Sequence, residues 1–214
     1  MINIIGNVFW LSFLLSSFPD NSWDLKKDAD GIKVYTRKIS TSDFKELRCQ
    51  FRVEASLSAI VNLLTDVDHF PDWIYKCIEA NEIRKVNPVE GYSYQLFDAP
   101  WPLDDRDIVT FGKVLQDQKT KVVTVSSVVN TTLFPEKKGI VRIKKFHSKY
   151  TLTPSGNGWV EVDYEMGSEP GGIVPAWLVN LVAVKGPFET HKRLIELLEK
   201  PEFSKAKLEY IAEP

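Results

Sequence analysis

Residues 170–198 read PGGIVPAWLVNLVAVKGPFETHKRLIELL. Pro170-Gly171-Gly172 breaks the preceding segment, and Pro175 suits the first turn of a helix, where its missing N–H is not needed. From there Trp177, Leu181, Val184, Phe188, His191, Ile195 and Leu198 recur at three- and four-residue intervals, an apolar stripe along one long helix. Gly186-Pro187 interrupts the run, and an interior proline predicts a kink there. A helix with one apolar face needs a layer to cover. Upstream, residues 31–37, 44–53, 92–97, 106–114, 121–129, 139–146, 150–154 and 159–166 are rich in β-branched and aromatic residues and are separated by turn formers. They predict antiparallel strands. Between the second and third runs the period changes. Leu57, Ile60, Val61, Leu64 and Val67 predict a helix capped by Ser56 or Ser58, and Pro71 opens a second helical piece through Ile78. The fold class is therefore α+β: a curved antiparallel sheet wrapped around a long, kinked C-terminal helix.

The chain has 214 residues, 43 % hydrophobic, which suits one medium domain burying roughly 70 % of its unfolded surface. The net charge of −2 excludes a generic nucleic-acid binder, which needs a basic surplus. Six Trp, seven Tyr and twelve Phe exceed what folding alone requires. Residues 1–18 form an apolar leader resembling a secretory signal, with no charge before Asp20. Cleavage implies export to a periplasmic or extracellular space, and retention implies the cytoplasm. Residues 20–200 form the domain, and 201–214 read as a polar tail. Cys49 and Cys77 read as two buried thiols.

The chemistry of the side chains is sparse. Asp66-x-Asp68 lacks the ligands and glycine of a calcium loop, and no zinc, nucleophile-elbow or phosphate-loop pattern is present. His191 reads as a boundary residue on its helix, with His69 and His147 partly exposed. Asp104-Asp105-Arg106-Asp107 is the densest charge cluster, with Arg106 paired to a neighbouring carboxylate. No metal or cofactor is implied.

Several motifs occur in order: Trp23 with Asp30-Gly31-Ile32-Lys33-Val34-Tyr35, Pro100-Trp101-Pro102-Leu103-x-x-Arg106-Asp107, Pro135-Glu136-x-x-Gly139-x-Val141-Arg142, and Pro170-Gly171-Gly172-x-x-Pro175-x-Trp177-Leu178-x-Asn180. Together they resemble a START domain, a StAR-related lipid-transfer module, over about residues 22–199. The resemblance implies the helix-grip fold and a hydrophobic tunnel, between sheet and helix, for one lipid or sterol-like molecule. It implies lining by Phe70, Trp73, Ile74, Gln95, Phe97, Ile108, Phe146 and Ser148, and by Trp177, Leu181, Val184 and Phe188 of the long helix. Leu133 and Phe134 fall on the family's gate loop, either packed down on the helix or touching a membrane. Arg106 and Asp107 are placed as a polar cluster at the tunnel, and Trp23 and Trp101 as packing around its turns.

Phosphatidylcholine carriers of this family use a charged pair around the position of Trp73. Here Phe70 and Ile74 stand in those places. Sterol carriers often hold an arginine and an acid where this chain has Gly112 and, nearby, Ser93. The implied ligand is thus neutral, such as a sterol or fatty acyl lipid, anchored by weak polar groups such as Gln95 or Ser148. The implied protein is a non-enzymatic monomer in transient contact with membranes. A polyketide cyclase or aromatase of the same superfold, using His191, Tyr94 or Tyr164, is a second reading. An interaction module with a filled core is a third.

Overall fold

Leu47, Cys49, Phe51 and Val53 alternate with Glu46, Arg48, Gln50 and Arg52, and this two-residue period builds the strand on which the sheet turns. The computed structural model describes residues 22–40, 42–172, 174 and 176–214, and the side chains of 43 and 176–182 lie outside that description. The leader and Pro175 lie outside the described residues. In chain order the elements are β1 (Asp24–Ala29), β2 (Ile32–Ile39), β3 (Ser42–Glu54), α1 (Leu57–Thr65), α2 (Phe70–Trp73), β4 (Cys77–Asn87), β5 (Glu90–Phe97), β6 (Asp105–Gln116), β7 (Val123–Val129), β8 (Ile140–Arg142), β9 (Lys145–Pro154), β10 (Trp159–Glu169), α3 (Ala176–Leu198) and α4 (Pro201–Ser204).

Among the described residues one sheet runs in the order β1-β2-β3-β10-β9-β7-β6-β5-β4, so it stays open, with β1 and β4 as its edges. The β1–β2 hairpin turns at Asp30-Gly31, both at positive φ, as a two-residue turn between paired Ala29 and Ile32 requires. β3 and β10 join the two ends of the chain, with Val53 opposite Val160, Phe51 opposite Val162 and Cys49 opposite Tyr164. On the outer face Arg48 donates from Nε to Asp163 Oδ1 at 2.7 Å, and Gln50 reaches the same carboxylate at 3.1 Å. Arg37 lies over the Trp23 ring, 4.2 Å from its centre.

Two small helices carry the chain from mid-sheet β3 to edge strand β4. Ser56 caps α1 as expected, its Oγ accepting from Ala59 N at 3.1 Å. α3 continues through Pro187 to Leu198. Its C-terminal half buries Phe188, His191, Leu194, Leu197 and Leu198 against the core built on β2, β3 and α1. Lys192 pairs with Asp30 at 3.0 Å, and the Lys27 ammonium lies 3.2 Å from the centre of the Phe188 ring. Burying an aromatic side chain of this kind contributes roughly 1.5–3 kcal/mol.

The structure departs from the sequence pattern in five places. α2 ends at Trp73, and Cys77 and Ile78 already belong to β4. β1 and the long edge strand β4 were not predicted, because their outward-facing polar residues mask the strand period. The run at 139–146 is divided differently. β8 is a three-residue strand parallel to β6, and β9 runs from Lys145 to Pro154 without a break at His147–Lys149. His191 is fully buried rather than at a boundary. The segment 201–214 is no free polar tail. Phe203 and Ile211 are buried, and Gln116 exchanges hydrogen bonds with the backbone of Ala212 at 2.7 and 2.9 Å. The Glu213 carboxylate accepts from Leu57 N and Ser58 N, both at 2.9 Å, and so closes the first turn of α1. Glu213→Ala is expected to lower stability by about 1 kcal/mol, read as a shift of the urea midpoint with an unchanged slope.

Candidate functional site

The sheet has two apolar faces with different covers. Toward α3, the central strands present Gln95 and Phe97 from β5, Ile108, Thr110 and Gly112 from β6, Ser127 from β7, Phe146, Ser148 and Tyr150 from β9, and Tyr164 and Met166 from β10. Antiparallel register fixes this shared face, since directly paired residues point the same way. Among the described residues, the α3 backbone comes close to β2, β3, α1, α2 and α4. It meets the central strands through side chains, His191 reaching Tyr150 and Tyr164. Gly112, Ser127, Phe146, Ser148, Tyr164 and Met166 are only partly buried although they lie mid-sheet. By contrast Val123, Leu152 and Val162, on the same face beneath the C-terminal half of α3, are buried. One end of the interface is packed shut and the middle remains reachable.

Beside this reachable middle, β5 and β6 carry buried hydroxyls and an amide, with Arg106, opposite Phe97, at the exposed end of the same face. Ser93 and Thr110 hydroxyls lie 3.0 Å apart, and Gln95 Nε2 is 3.3 Å from Ser93 Oγ. A Cβ added at Gly112 would come into ordinary van der Waals contact with Ser127 Oγ at 3.7 Å, so the position accepts a small side chain and a large one must displace its neighbours. The Trp73 indole N–H is buried with no hydrogen-bond partner among the described residues.

Most of the residues inferred for the lining share this side of the sheet. Gln95, Phe97, Ile108, Phe146 and Ser148 lie on it, and Phe70, Trp73, Ile74, Val184 and Phe188 belong to the core that covers it. Phe188 sits at the packed end. The side chains of Trp177 and Leu181 lie outside the described residues. Three inferences are corrected. Leu133 and Phe134 pack on neither the helix nor the solvent. They cover Tyr94, Leu96 and Val109 on the opposite face of the sheet, with the Phe134 and Tyr94 rings 4.9 Å apart. Asp107 also points to that face, and its partner is Arg142, which donates to both carboxylate oxygens at 2.6 and 3.0 Å. Both side chains are 1 % exposed. Arg106, next in the chain and therefore turned the other way, bonds the Asp104 carbonyl at the exposed end of β6. There is no Arg106–Asp107 cluster at the lining. Finally, Trp101 does not pack around a turn but is 91 % exposed.

Arg142 spends its remaining donors on the carbonyls of Phe134 and Pro135, at 2.9 and 3.1 Å. A buried bidentate pair thereby holds the 131–135 loop down, and the carboxylate in turn raises the Arg142 pKa. Thr110, Ser127 and Tyr150 share this face but are absent from the residues inferred for the lining. The available signal was parity: 93, 95 and 97 share a face, as do 108, 110 and 112.

The family model of the START domain matches residues 17–202. The chain belongs to the START domain family. A protein of Pseudomonas aeruginosa without an assigned function is 35 % identical over 180 residues, covering 83 % of this chain and 87 % of that one. The phosphatidylcholine transfer protein of the mouse is 26 % identical over 168 residues, covering 77 % and 78 %. Among solved structures, a STAR-related lipid transfer protein of Xanthomonas axonopodis superposes with a TM-score of 0.76 at 34 % identity, covering 83 % of this chain and 99 % of that one. Human StAR-related lipid transfer protein 5 gives a TM-score of 0.73 at 15 % identity, covering 81 % and 85 %, a likeness of fold.

In this START domain the helix meets the sheet at His191. Its Nδ1–H donates to the Pro187 carbonyl at 2.7 Å, so Nε2 accepts from the Tyr150 hydroxyl at 3.1 Å. Phe51 and Tyr164 pack on the ring. Burial pushes the His191 pKa down to about 4, against the opposing pull of the Pro187 carbonyl. Burial likewise pushes Tyr150, Tyr164 and Cys49 up, so the cluster is neutral at physiological pH. The folded-state pKa lies below the unfolded value near 6.5. The unfolded chain therefore binds more protons between pH 6.5 and 4, and stability is lost as pH falls through that window. Urea unfolding at pH 7 and pH 4 should show this as a loss of about 3 kcal/mol that His191→Phe does not share. Equal acid sensitivity in the two proteins would remove His191 as its source.

Proposed function

We propose that this START domain is a non-enzymatic carrier of one neutral lipid, held between the central strands and α3. The observation that carries the reading is the partly reachable stretch of Gly112, Ser127 and Ser148 beside the buried, uncharged Gln95 and Thr110, flanked by Phe97, Ile108 and Phe146. Apolar surface taken from water contributes about 25 cal/mol per Å², and a few uncharged polar groups suffice to orient the guest. The similarity to a phosphatidylcholine transfer protein does not extend to a charged headgroup. Phe70 and Ile74 occupy the places of the charged pair, and a buried phosphate without a partner is costly. His191 supports binding rather than acid–base work, since both ring nitrogens are engaged and a base with a pKa of about 4 is weak at neutral pH.

Loading requires contact with a membrane, and Trp101 is the group suited to it. Its turn is fixed by Leu103 N on Pro100 O at 3.1 Å, and its base by Ala99 N on Asp105 Oδ1 at 3.0 Å. An exposed indole held out on a braced turn gains by moving into a bilayer's headgroup region, where Trp is enriched.

The purified protein should carry an extractable neutral lipid visible by mass spectrometry and should take up a fluorescent sterol or fatty acid. Gly112→Trp fills the floor and should cut uptake at least tenfold with an unchanged circular dichroism spectrum. An empty protein that takes up no apolar probe would overturn the reading. Trp101→Ser should slow transfer between vesicles severalfold while leaving the affinity for the loaded lipid unchanged.

A further inference from the structure

We infer that Ser93, Gln95 and Thr110 form a subsite that selects a free hydroxyl on the bound lipid, an inference that rests on the lipid-carrier reading above. Ser93 and Gln95 are 9 % exposed and Thr110 is 3 % exposed, so little of the trio meets water. Their hydrogen-bonding capacity can be counted. The Gln95 amide nitrogen lies 3.3 Å from Ser93 Oγ and 3.5 Å from Thr110 Oγ1, and the two hydroxyls share one proton across 3.0 Å. Two valences remain. Gln95 Oε1 accepts nothing among the described residues, and one hydroxyl proton of the Ser93–Thr110 pair has no acceptor there. Oε1 is also not sealed from solvent, unlike the orphaned Trp73 indole nitrogen.

A guest that shuts solvent away from Oε1 without replacing its hydrogen bond weakens its own binding, because an acceptor left unmet in a closed site is costly. A guest hydroxyl meets both valences at once, donating to Gln95 Oε1 and accepting the spare hydroxyl proton. An ether or ester oxygen only accepts, so it leaves Oε1 unmet. A carboxylate sets its charge against Oε1, and no cationic side chain bonds the trio. Ile108, paired with Gln95 across β5 and β6, and Phe97 flank the trio with apolar surface suited to the body of the guest. A site built around a donor–acceptor pair discriminates far more sharply against an analogue lacking the group than an apolar wall can.

The test uses delipidated full-length protein and two matched probe pairs, 1-hexadecanol with its methyl ether and cholesterol with its 3-O-methyl ether. Each competes with a bound fluorescent sterol. In the unaltered protein a free alcohol should bind at least tenfold more tightly than its ether. Gln95→Leu should reduce that preference below twofold while leaving ether affinity unchanged, and Thr110→Val should weaken it partially. Equal binding of alcohol and ether by the unaltered protein overturns the inference. So does a Gln95→Leu variant that weakens both members alike. Binding of no probe by folded protein instead overturns the carrier reading beneath it.

Discussion

The C-terminal half of α3 is fastened to one end of the sheet, and the rest of the interface follows from that constraint. Leu194, Leu197 and Leu198 are buried with β2, β3 and α1, while His191 ties the helix to Tyr150 on β9. A helix fixed at one end crosses a sheet whose central strands carry glycine, serine and threonine where the ends carry valine, leucine and phenylalanine. Small residues cannot fill the gap that large ones close elsewhere. The partial burial of Gly112, Ser127 and Ser148 in mid-sheet is therefore a consequence of side-chain volume along β6, β7 and β9.

Polarity is sorted just as firmly. The fully buried ion pair, Asp107–Arg142, lies on the face away from α3, where it secures the 131–135 loop over a second small core. Removing one partner of such a pair costs about 3–5 kcal/mol, because a charge is left stranded. On the face toward α3, Arg106 stands opposite Phe97 at the exposed end of β6 and Lys27 lies over the Phe188 ring, while the central strands carry uncharged polar groups and an imidazole that remains neutral near physiological pH. The buried ion pair thus holds the fold from the side of the sheet away from α3.

Much of this was legible in the sequence, for identifiable reasons. The stripe from Trp177 to Leu198 gave the long helix, and Ser56 gave the start of α1. Strands with a buried face declared themselves, whereas the edge strands β1 and β4 did not. An edge strand needs charge to deter pairing with other chains, and that charge hides the apolar period. Local charge density misled most at Arg106-Asp107. Adjacent strand residues point to opposite faces, so Asp107 found Arg142, which is 35 residues away, rather than its neighbour. The loop at Leu133–Phe134 was located correctly, but periodicity carries no information about which face of a sheet a loop will cover.

The hydrogen bond from Leu57 N to Glu213 spans 156 residues of chain. The first turn of α1 is therefore completed by a side chain that leaves the ribosome long after the helix itself. The β3–β10 pair, whose partners lie 105 to 119 residues apart, has the same character. Contacts this distant in sequence raise contact order and slow folding. The domain consequently closes only when the segment around Ile211–Glu213 docks, and that segment acts as the clasp.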